Sequence, residues 1–179
     1  MADRIVRVLD LFCGAGGFSL GFAAALSGAR LDEAPSYAEL MRNEEYWVGP
    51  DRDFEIFGVD LDWDAIRTYH YNLNRMYGVI HAVRADVRML PFRIAPGYFD
   101  IIIGGPPCQP WSRSTPKHRR GWQHPLADLT LYFFLWVAVY QPRAFVLEQV
   151  PGLLDFPEWR EFLERLAGQK RMDEWLREE

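Results

Sequence analysis

Apolar residues occur along this chain in two kinds of block. Short, dense runs of four or five end abruptly in glycine, proline or an acid. Longer stretches carry apolar residues at helical spacing. Dense apolar runs bounded by turn residues predict strands buried on both faces. Five such strands are expected, at residues 5–9, 56–59, 79–83, 99–103 and 144–147, the third being the weakest. Helices are expected at 18–26, 62–77, 126–140 and 157–166. In the last of these, Trp159, Phe162, Leu163 and Leu166 share one face. The helix at 126–140 is apolar nearly all round, which suits packing on a sheet. Strands alternating with helices predict an α/β fold with a parallel, doubly wound sheet.

The residues that end the strands carry the chemistry. The first runs into Asp10-Leu11-Phe12-Cys13-Gly14-Ala15-Gly16-Gly17. Strand, glycine turn and helix together open a nucleotide-binding unit, or else form a tight strand–helix turn. Asp60 follows the second strand, where such folds hold ribose hydroxyls, while Asp62 suits a helix cap. Asp86 follows the third strand, Cys108 the fourth and Glu148 the fifth. In sheets of this kind ligands bind at the carboxyl ends of the strands. Cys108 stands in Gly104-Gly105-Pro106-Pro107-Cys108-Gln109-Pro110-Trp111-Ser112, a corner fixed by prolines, and is a candidate nucleophile. Cys13 lies inside the glycine turn and reads as a small packing residue.

Bulk properties narrow the picture further. A chain of 179 residues, 49% hydrophobic, is expected to form one domain with a real core. No apolar run is long enough to span a bilayer, and no membrane partner is expected. No signal peptide is evident at the amino terminus. Two cysteines at strand ends are not a disulfide framework, so the expected setting is the reducing cytoplasm. The net charge is −5, but residues 31–56 alone hold eight acids and two bases. That stretch reads as an acidic surface insertion, and the rest of the chain is near neutral. Arg113, Lys117, Arg119 and Arg120 then form a basic segment just after Cys108, read as a nucleic-acid contact or as a solvated loop.

These motifs, in this order, resemble those of the DNA (cytosine-5) methyltransferases. The stretch from Asp10 to Phe18 resembles that family's first motif, the S-adenosylmethionine site. Asp60, with the helix to Tyr69 and Asn72, resembles the second, and Asp86 the third. Gly105-Pro106-Pro107-Cys108-Gln109-Pro110-Trp111-Ser112 resembles the nucleophile motif, and Glu148-Gln149-Val150-Pro151-Gly152-Leu153 the sixth. The resemblance implies a Rossmann-like, S-adenosylmethionine-dependent methyltransferase fold. Residues 1–179 would be one partial catalytic domain, truncated after the fifth strand, with the insertion at about 31–56.

The resemblance also implies a chemistry. A Cys108 thiolate would add to carbon 6 of a flipped-out cytosine and load electron density onto carbon 5. Glu148, protonated in a dry pocket, would serve ring nitrogen 3. Phe12 and the backbone of Gly14, Gly16 and Gly17 would contact the methyl donor, S-adenosylmethionine. Asp60 would take its ribose hydroxyls and Asp86 its adenine amino group, with Pro107 and Leu129 lining the pocket. Gln109, Ser112 and Arg113 would hold the DNA backbone. Asp60 stands where the family more often has Glu, Leu61 where an aromatic often stacks, and Gln149 where Asn is usual. The family's target-recognition region has no counterpart here. That implies a second subunit carrying it, or self-association. Two other readings stay open: a non-catalytic remnant that binds the methyl donor or a protein, and an RNA cytosine-5 methyltransferase.

Overall fold

The computed structural model describes residues 5–26, 53–77, 80–89 and 94–168, with the side chains of 74–77 excepted. Most of the acidic insertion, and the charged tail from 170, lie outside the described residues. Five strands form one sheet: β1 (Val6–Leu11), β2 (Phe54–Asp60), β3 (Ile80–Arg84), β4 (Ile101–Gly104) and β5 (Ala144–Leu147). Among the described residues four α-helices accompany them: α1 (Gly17–Leu26), α2 (Trp63–Tyr77), α3 (Asp128–Tyr140) and α4 (Pro157–Ala167). Every pairing is parallel, in the order β3-β2-β1-β4-β5.

That order places the site. From β1 the chain builds outward through β2 and β3, then returns to the other side of β1 with β4. The direction of winding therefore reverses between β1 and β4, and a crevice opens above their carboxyl ends. Alternate residues of β1 explain the two layers. Val8 faces a core with Ala23 of α1 and Ile66, Tyr69 and Leu73 of α2. Leu9 and Leu11 face a second core with Phe133, Phe134 and Val137 of α3 and Trp159 of α4. Helix α3 is apolar on most sides because the sheet and α4 each cover part of it, while Leu131 and Leu135 stay exposed. Phe134 meets Phe162 with ring centroids 4.7 Å apart.

Element boundaries differ from expectation at several strands. β1 runs on through Asp10 and Leu11, which pair with Gly58 and Val59, so the first strand-end acid lies inside the strand. β2 begins at Phe54, and residues 54–56 belong to the sheet rather than to the surface excursion. β4 begins only at Ile101. Asp100 before it forms a corner: its carboxylate accepts the Arg7 N–H and its carbonyl the N–H groups of Arg143 and Ala144. Asp62 caps α2 as expected, its Oδ1 accepting from the N–H groups of Asp64 and Ala65 at 2.7 and 2.9 Å.

Candidate active site

The glycine turn is held from two sides. At its front, Asp60 Oδ2 accepts the Gly14 N–H at 2.9 Å, and Oδ1 accepts the Asp62 N–H at 2.9 Å. The end of β2 is thereby tied to the end of β1. At its back, Asp10 is buried and its Oδ2 accepts the Ser19 hydroxyl at 2.6 Å. Ser19 is also 2.6 Å from the Tyr69 hydroxyl. Gly16, at φ +100, allows α1 and α2 to close over this network, since a Cβ there would run into Leu73 and Tyr69. Asp10 Oδ1 has no partner. Burial pushes the Asp10 carboxyl up to about 7, the Ser19 hydrogen bond opposes this, and nearby Asp60 adds to it. Burial also raises the Cys13 thiol, with Asp10 and Asp60 adding to the effect. That suits a packing residue and not a reactive thiolate.

The Cys108 corner is built from backbone. Its carbonyl accepts the N–H groups of Trp111 and Ser112 at 3.0 and 2.9 Å, and its side chain is exposed. Trp111 is fully buried and anchors the corner to α3 through Nε1–H donation to Thr130 Oγ1 at 2.9 Å. Glu148 follows β5, with its N–H on the Gly104 carbonyl at 3.0 Å. Gln149 joins the two motifs: its side-chain amide donates to the Pro106 carbonyl at 3.0 Å, and its Oε1 accepts the Val150 N–H. The Glu148 side chain was expected in a dry pocket, but Glu148 is exposed. It stands at the open mouth of the crevice, where no described residue covers it.

A cavity of about 470 Å³ joins these ends. Phe12, Asp60, Asp86, Pro107 and Leu129 line it, and so do Cys108, Gln109 and Glu148. The backbone of Gly14, Gly16 and Gly17 forms the turn beside it. Ser112 and Arg113 lie beyond its wall. Arg113 donates through Nε and Nη2 to Asp155 at 3.0 and 2.7 Å, and Arg120 reaches the same carboxylate at 2.6 Å. These hydrogen bonds, that from Arg113 foremost, hold the Asp155 carboxyl below the usual carboxylate range. Of the basic segment, Arg113, Lys117 and Arg119 are exposed and Arg120 is half-buried. A larger groove of about 700 Å³ lies against α2 and β3 and contains none of the expected residues. The strand-end cavity is the candidate site because the reactive groups converge there. Three carboxylates, an apolar wall and an exposed thiol suit a nucleoside bearing a cationic group.

Among the cavity residues that were not anticipated, one is charged. Arg88 donates through Nε and Nη2 to both oxygens of Asp128, at 2.8 and 3.0 Å, and so links the end of β3 to the start of α3. The hydrogen bond lowers the Asp128 carboxyl and raises the Arg88 guanidinium. A base two positions after a strand-end acid was the one available signal, and its partner lies 40 residues away.

Comparison with known proteins places this site in a class. The fold is similar to that of a Pyrococcus horikoshii protein assigned as an RNA methyltransferase, at TM-score 0.51 and 22% identity, over 92% of this chain and 58% of that one. The chain belongs to the C-5 cytosine-specific DNA methylase family, whose pattern matches residues 6–168. It is 31% identical over 167 residues to the type II methyltransferase M.AplI of Arthrospira platensis, covering 90% of this chain and 36% of that protein. It is 32% identical over 152 residues to M.AgeI of Thalassovita gelatinovora, covering 83% and 29%. M.AquIA of Picosynechococcus is 28% identical, over 84% of this chain and 50% of that protein. The chain thus spans from under a third to a half of the length of these relatives.

Proposed function

We propose that this chain is the catalytic part of a DNA cytosine-5 methyltransferase, with Cys108 as nucleophile and S-adenosylmethionine as methyl donor. The observation that carries the reading is the single cavity lined by Cys108, Glu148, Asp60 and Asp86. The donor supplies an electrophilic methyl group; this chain's residues do the rest. Asp60 would hold the ribose hydroxyls and Asp86 the adenine amino group, with Pro107 and Leu129 lining the adenine pocket. Cys108 Sγ adds to carbon 6 of an extruded cytosine, which makes carbon 5 nucleophilic. Glu148 stabilises the ring at nitrogen 3. Loss of the carbon-5 proton after methylation allows the sulfur–carbon bond to break and the thiolate to return. Gln109, Ser112 and Arg113 flank the entrance and meet the phosphate backbone, Arg113 exchanging Asp155 for a phosphate.

Target recognition is assigned to a further polypeptide, on a second chain or through self-association. The open edge of β5 supports this. Val146 lies there at 42% exposure, and among the described residues β5 pairs only with β4. The cytoplasm is the expected site of action.

Trapping tests the reading. The protein, alone and with any co-encoded partner, is incubated with S-adenosylmethionine and DNA containing 5-fluorocytosine. A covalent adduct is expected, and Cys108→Ala should abolish it while leaving donor binding intact. Donor binding with no adduct under any pairing would instead favour a non-catalytic binding module. An adduct on RNA and none on DNA would reassign the substrate.

A further inference from the structure

Asp86 is the carboxylate read above as the acceptor for the donor's exocyclic amino group, and its two oxygens are not equivalent. Oδ1 already accepts the Arg88 N–H at 2.9 Å. Oδ2 is ion-paired with the Arg88 guanidinium at long range, Nη1 lying at 3.5 Å, too far for a good hydrogen bond. Oδ2, held only by that long ion pair, is thus the less committed oxygen for a ligand. What keeps the guanidinium at that distance is visible. Its Nε and Nη2 are spent on Asp128, in the bidentate geometry that planar guanidinium and carboxylate favour. Asp128 is the first residue of α3, where the helix dipole also favours an acid. Arg88 and Asp86 both line the cavity, so the balance between the two carboxylates is set at the binding surface itself.

We propose that Asp128 acts as a positioning counter-ion: it limits Arg88 to that long ion pair with Asp86, and so leaves Asp86 Oδ2 available to select an adenine amino group. This inference rests on Asp86 being the amino-group acceptor. Without Asp128, Arg88 has a carboxylate within reach on its other side. Closing on it would occupy the acceptor with an internal cation. The pair is then a specificity device and not only a brace between β3 and α3. A brace and a counter-ion predict opposite results in a double variant. Losing both ends of a brace is no better than losing one. Removing Arg88 as well as Asp128 removes the intruder and restores Asp86.

The test measures dissociation constants for S-adenosylhomocysteine and for its analogue with hydrogen in place of the 6-amino group. Native protein is expected to prefer the adenosyl compound by roughly tenfold, the worth of a hydrogen bond to a charged group. Asp128→Asn should lose most of that preference, with the analogue's affinity little changed. Arg88→Gln/Asp128→Asn should regain it, and Asp128→Glu should keep it. Circular dichroism checks folding, and Asp128→Ser replaces the Asn variant if that fails to fold. An equal loss for both compounds in Asp128→Asn, with no recovery in the double variant, overturns the counter-ion role. Asp86→Asn separates this from the underlying reading. If native protein shows no preference and Asp86→Asn changes neither affinity, Asp86 is not the acceptor. If Asp86→Asn abolishes the preference and Asp128→Asn retains it, only the counter-ion role fails.

Discussion

Asp10 shows how one buried group can report on the site around it. Its carboxyl is raised to about 7 from an ordinary value of 3.8, chiefly by burial. Between those two values the folded chain holds a proton that the unfolded chain has released. Stability must therefore fall as pH rises through that interval and level off above it. From pH 5 to pH 8 the fall has a ceiling of about 3 kcal/mol, at 1.36 kcal/mol for each unit of pH below the folded value. The partnerless Oδ1 fits this, since a neutral carboxyl calls for fewer donor partners than a carboxylate does. Asp10→Asn removes the titration. Urea unfolding at pH 5 and pH 8 should show a smaller loss of stability in the variant than in the native chain. Equal losses would mean that the Asp10–Ser19–Tyr69 network holds its charge some other way.

At the scale of elements, the segment after Cys108 is locked to the turn after β5. Arg120 donates to the carbonyls of Trp111 and Gly152 and to Asp155, and its guanidinium lies over the Phe156 ring at 5.1 Å. Trp111 packs on Phe156 and Trp159 with centroids 5.2 and 5.6 Å apart. Arg120→Met keeps the length but leaves those carbonyls without a donor, at a cost of about 1–3 kcal/mol. Hydrogen exchange should speed up at Trp111 and in residues 112–124, while the backbone of β1 and β4 stays protected. Uniform acceleration would show that the lock holds the whole fold and not this segment. This lock also marks the limit of what was legible beforehand. Buried parallel strands read as dense apolar runs, and such sheets gather ligands at strand ends. Cys108, Glu148, Asp60 and Asp86 could therefore be found from order alone. Pairs such as Arg113–Asp155 and Arg88–Asp128 have no period, and their partners lie some 40 residues apart. The exposure of Glu148 was missed for a related reason. Chemistry argued for a dry carboxyl, but dryness depends on what covers the crevice, and a strand-end pattern does not encode that.

At the scale of the whole molecule, the sheet is asymmetric. Its centre is sealed on both faces: Val8, Ile102 and Ile103 are fully buried. Its β5 margin is not. Phe145 packs into the α3–α4 core, whereas Val146 points to the opposite face and is 42% exposed, one strand away from fully buried Ile103, its register partner. An edge strand with an apolar residue and open backbone groups is a template for another strand. If a further polypeptide completes the enzyme by adding to β5, a charge at this position should block it. Val146→Lys is expected to stay monomeric by sedimentation, under conditions where the native chain self-associates or binds the chain that supplies recognition. S-adenosylhomocysteine affinity should be unchanged, because Val146 faces away from the core beneath the cavity. Loss of cofactor affinity together with association would mean the variant has damaged the sheet. A monomeric native chain that methylates DNA unaided would remove the need for any partner at this edge.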